Sequence, residues 1–249
     1  MKIGFIGAGN MAQAMILGWR DHHEISIFSP NTGLEAAAEL KVEFKPTEEL
    51  ATWADLVVVA TPVDALEEVA PYLQQAKVVV SVLGGISLKT LRSLIENAGL
   101  VRALPNVNVS KKVGFTALAF EKDFAQVDTY LDLFNQLGTA EIIDEDKFAA
   151  VSAVAGSGPA FVAGIIQSYA FSAERVGLDG TTALKLSLQT FIGTLFQMPV
   201  DADLQSVADA VMTPGGSTEQ GFKSLKNSDI NDVFQQMLQA TIDKNNSAE

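Results

Sequence analysis

Gly7, Gly9 and Ala12 sit in the segment Ile3-Gly4-Phe5-Ile6-Gly7-Ala8-Gly9-Asn10-Met11-Ala12 in the pattern G-x-G-x-x-A, directly after an apolar run. Each small residue has a separate task in such a pattern. The first permits a tight turn, the second leaves no Cβ between the backbone and a pyrophosphate, and the third lets a helix pack close to the preceding strand. The backbone N–H groups around Gly7, Ala8, Gly9, Asn10 and Met11 would then face phosphate oxygens, whose charge a helix dipole favours. The chemistry implied is the binding of a dinucleotide. About 20 residues on, where an NAD site usually carries an acid for the ribose 2′-hydroxyl, the chain reads Phe28-Ser29-Pro30-Asn31-Thr32. With no carboxylate to repel a 2′-phosphate, and with Ser29 and Asn31 as hydrogen-bond donors, this loop favours NADP(H). It holds no Arg or Lys to pair that phosphate, so NAD(H) stays open as a substitute, and the same residues would also suit a helix cap.

Three further loops follow predicted strands, where ligands bind in open α/β sheets. They are Ala60-Thr61-Pro62-Val63, Val82-Leu83-Gly84-Gly85 and Leu104-Pro105-Asn106-Val107. The first two would flank ribose and nicotinamide. Asn106 offers an amide to nicotinamide or substrate, or is an ordinary turn residue. Two later segments, Ala155-Gly156-Ser157-Gly158-Pro159-Ala160-Phe161 and Val211-Met212-Thr213-Pro214-Gly215-Gly216-Ser217-Thr218, place small residues and hydroxyls just before helices. Successive N–H groups at Gly216, Ser217 and Thr218 would make an anion nest sized for a carboxylate. The Thr218 hydroxyl could donate or relay a proton to a reacting nitrogen or oxygen. The alternative is plain capping, with Ser217 or Thr218 as the cap and Glu219 or Gln220 in support.

Positioning these groups falls to alternating strands and helices. Apolar runs predict strands over residues 2–6, 24–29, 43–44, 56–60, 78–82, 100–104, 116–120 and 139–143. Helical spacing predicts helices over 10–21, 34–40, 47–53, 63–73, 87–95 and 123–137. Strand 56–60 is apolar throughout, as in a parallel sheet covered on both faces, and 78–82 is another apolar strand. The expectation is a doubly wound α/β sheet of Rossmann type. From Phe148 on the composition shifts and only helices are predicted, over 160–176, 182–198 with Pro199 just beyond, 202–211, 218–225 and 229–244, before a frayed tail at 245–249. The expected division is a dinucleotide-binding domain at 1–147 and an all-α domain at 148–249. Helix 160–176 carries charge only at Glu174 and Arg175, and a helix apolar on nearly all sides has to be buried. About 100 residues of helix offer little interior for it. The helical domain is therefore expected to interleave with a second copy, as a homodimer or a ring of dimers, rather than to form a compact monomeric bundle.

Composition narrows the class. The chain has 30 Asp and Glu against 17 Lys and Arg, a net charge of −13. Such a chain repels nucleic acid and anionic membrane, so neither is an expected partner. The absence of cysteine excludes disulfides, thiolate nucleophiles and Cys-ligated metal. The two histidines, His22 and His23, are adjacent, which speaks against a metal site or a His-based triad. No signal peptide precedes the first strand and no apolar run approaches the ~20 residues of a membrane span, so a cytoplasmic location is expected.

Four segments together resemble the pyrroline-5-carboxylate reductase family: IGFIGAGNMAQAMI at 3–16, LPN at 104–106, AGSGPAF at 155–161 and VMTPGGSTEQGF at 211–222, in the family's order and spacing. The resemblance implies a Rossmann-type N-terminal domain and a helical C-terminal dimerisation domain. It also implies reduction of the cyclic imine 1-pyrroline-5-carboxylate to L-proline with NADPH, or with NADH in its place, and no metal. Carried over, Gly7, Ala8, Gly9, Asn10 and Met11 hold the pyrophosphate, and Ser29 and Asn31 the adenosine ribose or its phosphate. Thr61, Pro62, Leu83 and Gly84 line the nicotinamide side, with Thr47, Ala60 and Val63 completing the cofactor set. Gly215, Gly216, Ser217 and Thr218, with Asn106, hold the substrate, and Thr218 hydrogen-bonds its ring nitrogen. The family's V-K-P reads Thr61-Pro62-Val63 here, without the lysine. Its S-G-S-G-P reads Ala155-Gly156-Ser157-Gly158-Pro159, and its P-N-x-P reads Pro105-Asn106-Val107-Asn108. An iminium is electrophilic without a strong acid or metal, which suits a chain with no Cys and two His. Two other readings stand beside this one: a different small imine or a hydroxy or keto acid as substrate, and a non-catalytic NADP(H) sensor. A hydroxyacid enzyme would normally need a lysine in the long helix 160–176, which has none, and a sensor has no use for the P-G-G-S-T turn.

Overall fold

The apolar strands of the N-terminal part collect into one sheet. A computed structural model describes residues 1–198 and 203–246. Its first elements are β1 (Lys2–Ile6), α1 (Asn10–Trp19), β2 (Glu24–Phe28), α2 (Gly33–Leu40), β3 (Glu43–Phe44), α3 (Thr47–Trp53) and β4 (Leu56–Val59). They continue with α4 (Leu66–Leu73), β5 (Val78–Ser81), α5 (Leu88–Leu94), β6 (Gly99–Pro105), β7 (Gly114–Phe120), α6 (Val127–Asn135) and β8 (Gly138–Ile142). The strand order is β3-β2-β1-β4-β5-β6-β7-β8. Strands β1 to β6 run parallel, with Phe5 opposite Ile27 on one side and Val58 on the other. The chain winds outward from β1 to β3 and returns to β4 on the other side of β1. A switch point therefore opens at the C-terminal ends of β1 and β4. Strand β7 is antiparallel to β6, with Ala103 opposite Leu118, and β8 is parallel to β7. The short link over 106–113 dictates the reversal, because a parallel return needs a crossover of about a dozen residues or more.

Strands β4 and β5 are buried throughout, as their unbroken valine runs require. On one face of the sheet Phe5, Val58, Val80 and Val101 pack with Met15, Ile16 and Trp19 of α1 and with Leu133 and Phe134 of α6. On the other, Val57, Val59, Val79 and Leu100 pack with Leu50 of α3, Leu66 and Leu73 of α4 and Leu91 of α5. Trp19 is fully buried, and its indole N–H donates to the Leu133 carbonyl at 3.1 Å, so burial leaves no unpaired donor there. The first helix stops short of the predicted residue 21 because the N–H groups of His22 and His23 both turn back onto the Trp19 carbonyl.

By packing, the chain divides into two units: Met1–Pro159 with the residues from Thr241 onward, and Ala160–Ala240. The first unit also holds α7 (Phe148–Val151), which continues into a π-helical turn, Ser152–Gly156. The segment around Gly156, expected as a loop before a helix, is thus itself helical. The Ser157 N–H reaches the Ser152 carbonyl at 2.9 Å, the five-residue span of a π turn.

Helices follow: α8 (Gly158–Arg175), α9 (Gly180–Gln197), α10 (Leu204–Val211), α11 (Ser217–Lys226) and α12 (Ile230–Asn246). No strand occurs from Phe148 onward among the described residues. Asp179 caps α9 by accepting from the Thr182 N–H at 3.1 Å, which moves the helix start two residues ahead of the predicted 182. Asp203 caps α10 through the Gln205 N–H at 3.0 Å. Pro199, expected to follow α9, and Ala202, expected to open the next helix, lie outside the described residues, as do residues 247–249 of the tail. Asn245 and Asn246 belong to α12 rather than to a frayed end.

In α8 only Ala170 is buried, while Val162, Tyr169, Phe171 and other apolar side chains stand exposed. Within the helical stretch Glu145–Arg175 an 18-residue window has a mean hydropathy of 1.7, enough by length and composition to cross a membrane. This exceeds what the sequence suggests, because α7, the π turn and α8 join end to end. Apolar side chains left outside on this scale require a covering partner.

Candidate cofactor and substrate sites

The glycine turn occupies the switch point. Gly7 has a φ of +113°, and a Cβ there would lie 2.2 Å from the Ala60 carbonyl oxygen and 2.9 Å from the Thr61 nitrogen. Only glycine fits, and its N–H donates to the Phe28 carbonyl at 2.8 Å, tying the ends of β1 and β2 together. Gly9 is the N-cap of α1, and a Cβ on it would meet nothing within 4 Å. The space over Gly9 is open, the first turn of α1 carries no acid, and its first N–H groups have no intrahelical acceptor. Ala12 is fully buried against the sheet. Gly7 thus shapes a turn after which Ala8, Gly9, Asn10 and Met11 form a cradle with room over Gly9 and free donors that fit a pyrophosphate. Beside it, the Thr61 hydroxyl is buried without a protein partner. The residues present fit a dinucleotide.

Other expected cofactor residues gather along the same edge of the sheet. Beyond β2, the Ser29 and Thr32 hydroxyls pair with each other at 3.1 Å and Asn31 is exposed. Thr32 precedes α2 without a side-chain capping bond, so the capping alternative for this loop is not realised. Thr47 is buried as the first residue of α3. Ala60, Thr61, Pro62 and Val63 follow β4, and Leu83 and Gly84 follow β5.

Val63 and Gly84 line a cavity of about 500 Å³ with Ile86, Leu104, Phe148 and Arg102. Arg102 was not singled out in the sequence, although it is the one charge within β6. It is only 5% exposed. Its Nη1 donates to Glu145 Oε1 at 3.0 Å, its guanidinium lies 4.7 Å from the Phe148 ring centre, and its Nε has no partner. Asn106, 7% exposed, uses its amide on the protein. Nδ2 donates to the Ala155 carbonyl at 3.1 Å, and Oδ1 accepts from the Asn108 and Phe115 N–H groups at 3.2 and 3.4 Å. It pins the β6–β7 turn to the π-helical turn.

Gly215, Gly216, Ser217 and Thr218 lie in the other unit, at the start of α11. Gly215 has a φ of +76°, and its N–H donates to Glu219 Oε2 at 2.7 Å. The Gly216 N–H donates to the Thr213 carbonyl at 2.8 Å, so it is not a free nest donor as the sequence suggests. Gly216, not Ser217 or Thr218, is the N-cap, and no side chain caps the helix. The donors left at the helix start are those of the first turn, Ser217, Thr218 and Glu219. The Thr218 side chain is exposed. The Gly215 N–H, and after it Lys223, hold the Glu219 carboxyl below its ordinary range. No group of three or more His, Asp or Glu among the described residues is placed to hold a metal ion.

The profile described as pyrroline-5-carboxylate reductase dimerisation matches residues 145–248. Pyrroline-5-carboxylate reductase 2 of Bacillus subtilis is 30% identical over 257 residues, which cover 96% of this chain and 92% of that protein. The chain belongs to the pyrroline-5-carboxylate reductase family. Within the family, the enzyme of Pseudomonas aeruginosa is 30% identical over 96% of this chain and 93% of its own length. The solved reductase from Streptococcus pyogenes superposes with a TM-score of 0.85 at 29% identity, covering 99% of this chain and 98% of that one. The Coxiella burnetii reductase gives 0.88 at 25% identity, covering 98% and 97%. A second profile, NADP oxidoreductase coenzyme F420-dependent, matches residues 2–85, the part that builds the glycine cradle. The fold is that of a family with an N-terminal NADP-binding domain and a helical C-terminal dimerisation domain, and the unburied apolar residues of α8 belong to a homo-oligomerising region.

Proposed function

We propose that this chain reduces 1-pyrroline-5-carboxylate to L-proline, with NADPH as the preferred reductant and NADH as a substitute. Carrying the reading is the likeness to the Bacillus subtilis reductase over 96% of the chain, which spans both the glycine cradle and the P-G-G-S-T turn. The tight turn at Gly7 and the donors and open space at Ala8, Gly9, Asn10 and Met11 suit the pyrophosphate. Ser29, Asn31 and Thr47 are assigned to the adenosine side, where the lack of an acid after β2 favours a 2′-phosphate. Ala60, Thr61, Pro62, Val63, Leu83 and Gly84 are assigned to the nicotinamide side. When bound, the reduced nicotinamide supplies a hydride for the imine carbon.

The chain's own task is then placement. Gly215 and Gly216 shape the turn that presents the Ser217 and Thr218 N–H groups, which with the α11 dipole hold the substrate carboxylate. The Thr218 hydroxyl donates a hydrogen bond to the ring nitrogen as it becomes an amine. An iminium needs no strong acid, so alignment supplies most of the rate. Asn106 is assigned to the substrate as well, and its side chain also holds the β6–β7 turn. The functional boundary is placed at 147/148, the assembly is a homodimer or a ring of dimers, and the location is cytoplasmic.

The test is oxidation of NADPH by the purified protein with 1-pyrroline-5-carboxylate, repeated with NADH, with proline identified as product. Turnover forming proline is the expected result. NADPH binding without turnover would move the assignment to another imine or keto acid, or to the sensor.

A further inference from the structure

Arg102 has no task in the reading above, yet the fold goes to some length to hold it. Its neighbours in β6, Val101 and Ala103, are apolar and buried. An ion pair with its arginine buried and its glutamate partly exposed is a poor way to stabilise such a place, since apolar replacements usually serve as well or better. What the pair supplies is geometry. One carboxylate oxygen, Glu145 Oε1, accepts both from Arg102 Nη1 at 3.0 Å and from the Leu88 N–H at 2.8 Å. Leu88 is the first residue of α5 and ends the loop Leu83-Gly84-Gly85-Ile86-Ser87. That loop turns through Gly85 at a φ of +73°, and Gly84, Gly85 and Ile86 all line the cavity. Phe148, on which the guanidinium rests, lines it as well. The pair therefore joins two walls of one cavity, the loop after β5 and the start of α7, to the strand between them.

We propose that Arg102, acting through Glu145, is a positioning residue that holds the Gly84–Ser87 loop and Phe148 as the walls against which the nicotinamide ring is set. The inference rests on the dinucleotide reading of the glycine cradle. It separates two properties of one ligand: the cradle governs how tightly NADPH binds, and the Arg102–Glu145 pair governs how firmly its ring is held.

The experiment uses Glu145→Gln, which keeps an acceptor for Leu88 but removes the charge, and Arg102→Lys, which keeps the charge but loses the planar fork and the stacking. NADPH is titrated into wild type and both variants. The dissociation constant, the fluorescence anisotropy of the bound reduced nicotinamide at saturation, the melting temperature and kcat are recorded. Expected are a dissociation constant within about threefold of wild type, lowered anisotropy, and kcat down by about tenfold, as misalignment alone would cause. Wild-type anisotropy and kcat in either folded variant would overturn the proposal. So would a parallel fall of affinity, kcat and melting temperature, which marks a merely structural pair. If Arg102→Lys does not fold, Glu145→Gln decides alone. If wild type binds no NADPH, the cradle reading falls and the proposal with it; if wild type turns over and the variants match it, only the proposal falls.

Discussion

A Cβ on Gly7 would lie 2.2 Å from the carbonyl oxygen of Ala60, whereas one on Gly9, two residues on, would meet nothing within 4 Å. The two glycines of one motif thus differ: the fold requires the first, and the space over the second is left open. Gly7→Ala must place an L side chain at a φ of +113° and push β1 away from the end of β4. A loss of about 2–3 kcal/mol of stability is expected, together with loss of NADPH binding. Gly9→Ala should change the melting temperature little and weaken NADPH by about tenfold or more, because its Cβ enters space the pyrophosphate would use. Thermal melts and NADPH titrations of both variants check this. Equal destabilisation by the two would show that Gly9 is structural as well.

Thr218 sits in the first turn of α11 with its side chain exposed, so its removal should leave the fold and the cofactor untouched. Thr218→Ala is expected to lower kcat by about ten- to a hundredfold, the scale of one lost hydrogen bond to a charged group, with an unchanged NADPH dissociation constant. Thr218→Ser should recover most of the loss. Steady-state kinetics and cofactor titration decide the point, and equal losses in turnover and NADPH affinity would remove the role from Thr218.

Much of this was readable beforehand because its causes are local. The cradle follows from Gly7, Gly9 and Ala12, and the unbroken valines of β4 and β5 announce strands buried on both faces. What stayed hidden depends on partners far away in sequence. Arg102 is a lone charge in an apolar strand, and only the fold shows that Glu145, 43 residues on, accepts from it. Asn106 reads from the sequence as an amide offered to nicotinamide or substrate, and only the fold shows that it also bonds to Ala155 and Phe115. The π-helical turn after α7 was hidden for another reason. Its glycine and serine are loop formers by propensity, and the bond from Asn106 to the Ala155 carbonyl lies outside any local pattern. At the P-G-G-S-T turn the donors left without an intrahelical acceptor shift one residue along from those expected, because Gly216 bonds back to Thr213.

His23 gives the fold a pH dependence on its acid side. Burial pushes its imidazole below the ordinary value of 6.5, outweighing the bond to Gln136, and the Met1 ammonium and His22 push the same way. Nε2 meets Gln136 Oε1 at 2.8 Å while Nδ1 meets the Met1 amino group at 3.3 Å, so the neutral ring satisfies both. A group whose folded value is depressed takes up its proton more readily when unfolded. Its contribution is therefore present above 6.5 and is lost as the pH falls through the lowered folded value. Melting temperatures from neutral pH downward should fall more steeply for wild type than for His23→Asn. Parallel curves would assign the acid sensitivity to other groups.

The exposed apolar residues of α8 bear on assembly. Tyr169 packs edge-on against Phe191 of α9 at 5.7 Å, so these helices pair within the unit, yet Phe171 on α8 remains 58% exposed. An aromatic side chain left outside in a dimerisation domain is the kind of residue that an interface buries at its centre. Phe171→Glu would place a charge where a second copy must pack, and burying an unpaired carboxylate costs several kcal/mol. That exceeds what a single side chain's packing could offset, so the substitution should shift sedimentation toward the monomer while the glycine cradle, in the other unit, still binds NADPH. Analytical ultracentrifugation of wild type and variant over a range of concentrations makes the comparison. Unchanged sedimentation would place Phe171 outside the interface and leave the rest of the exposed α8 and α9 surface as the contact.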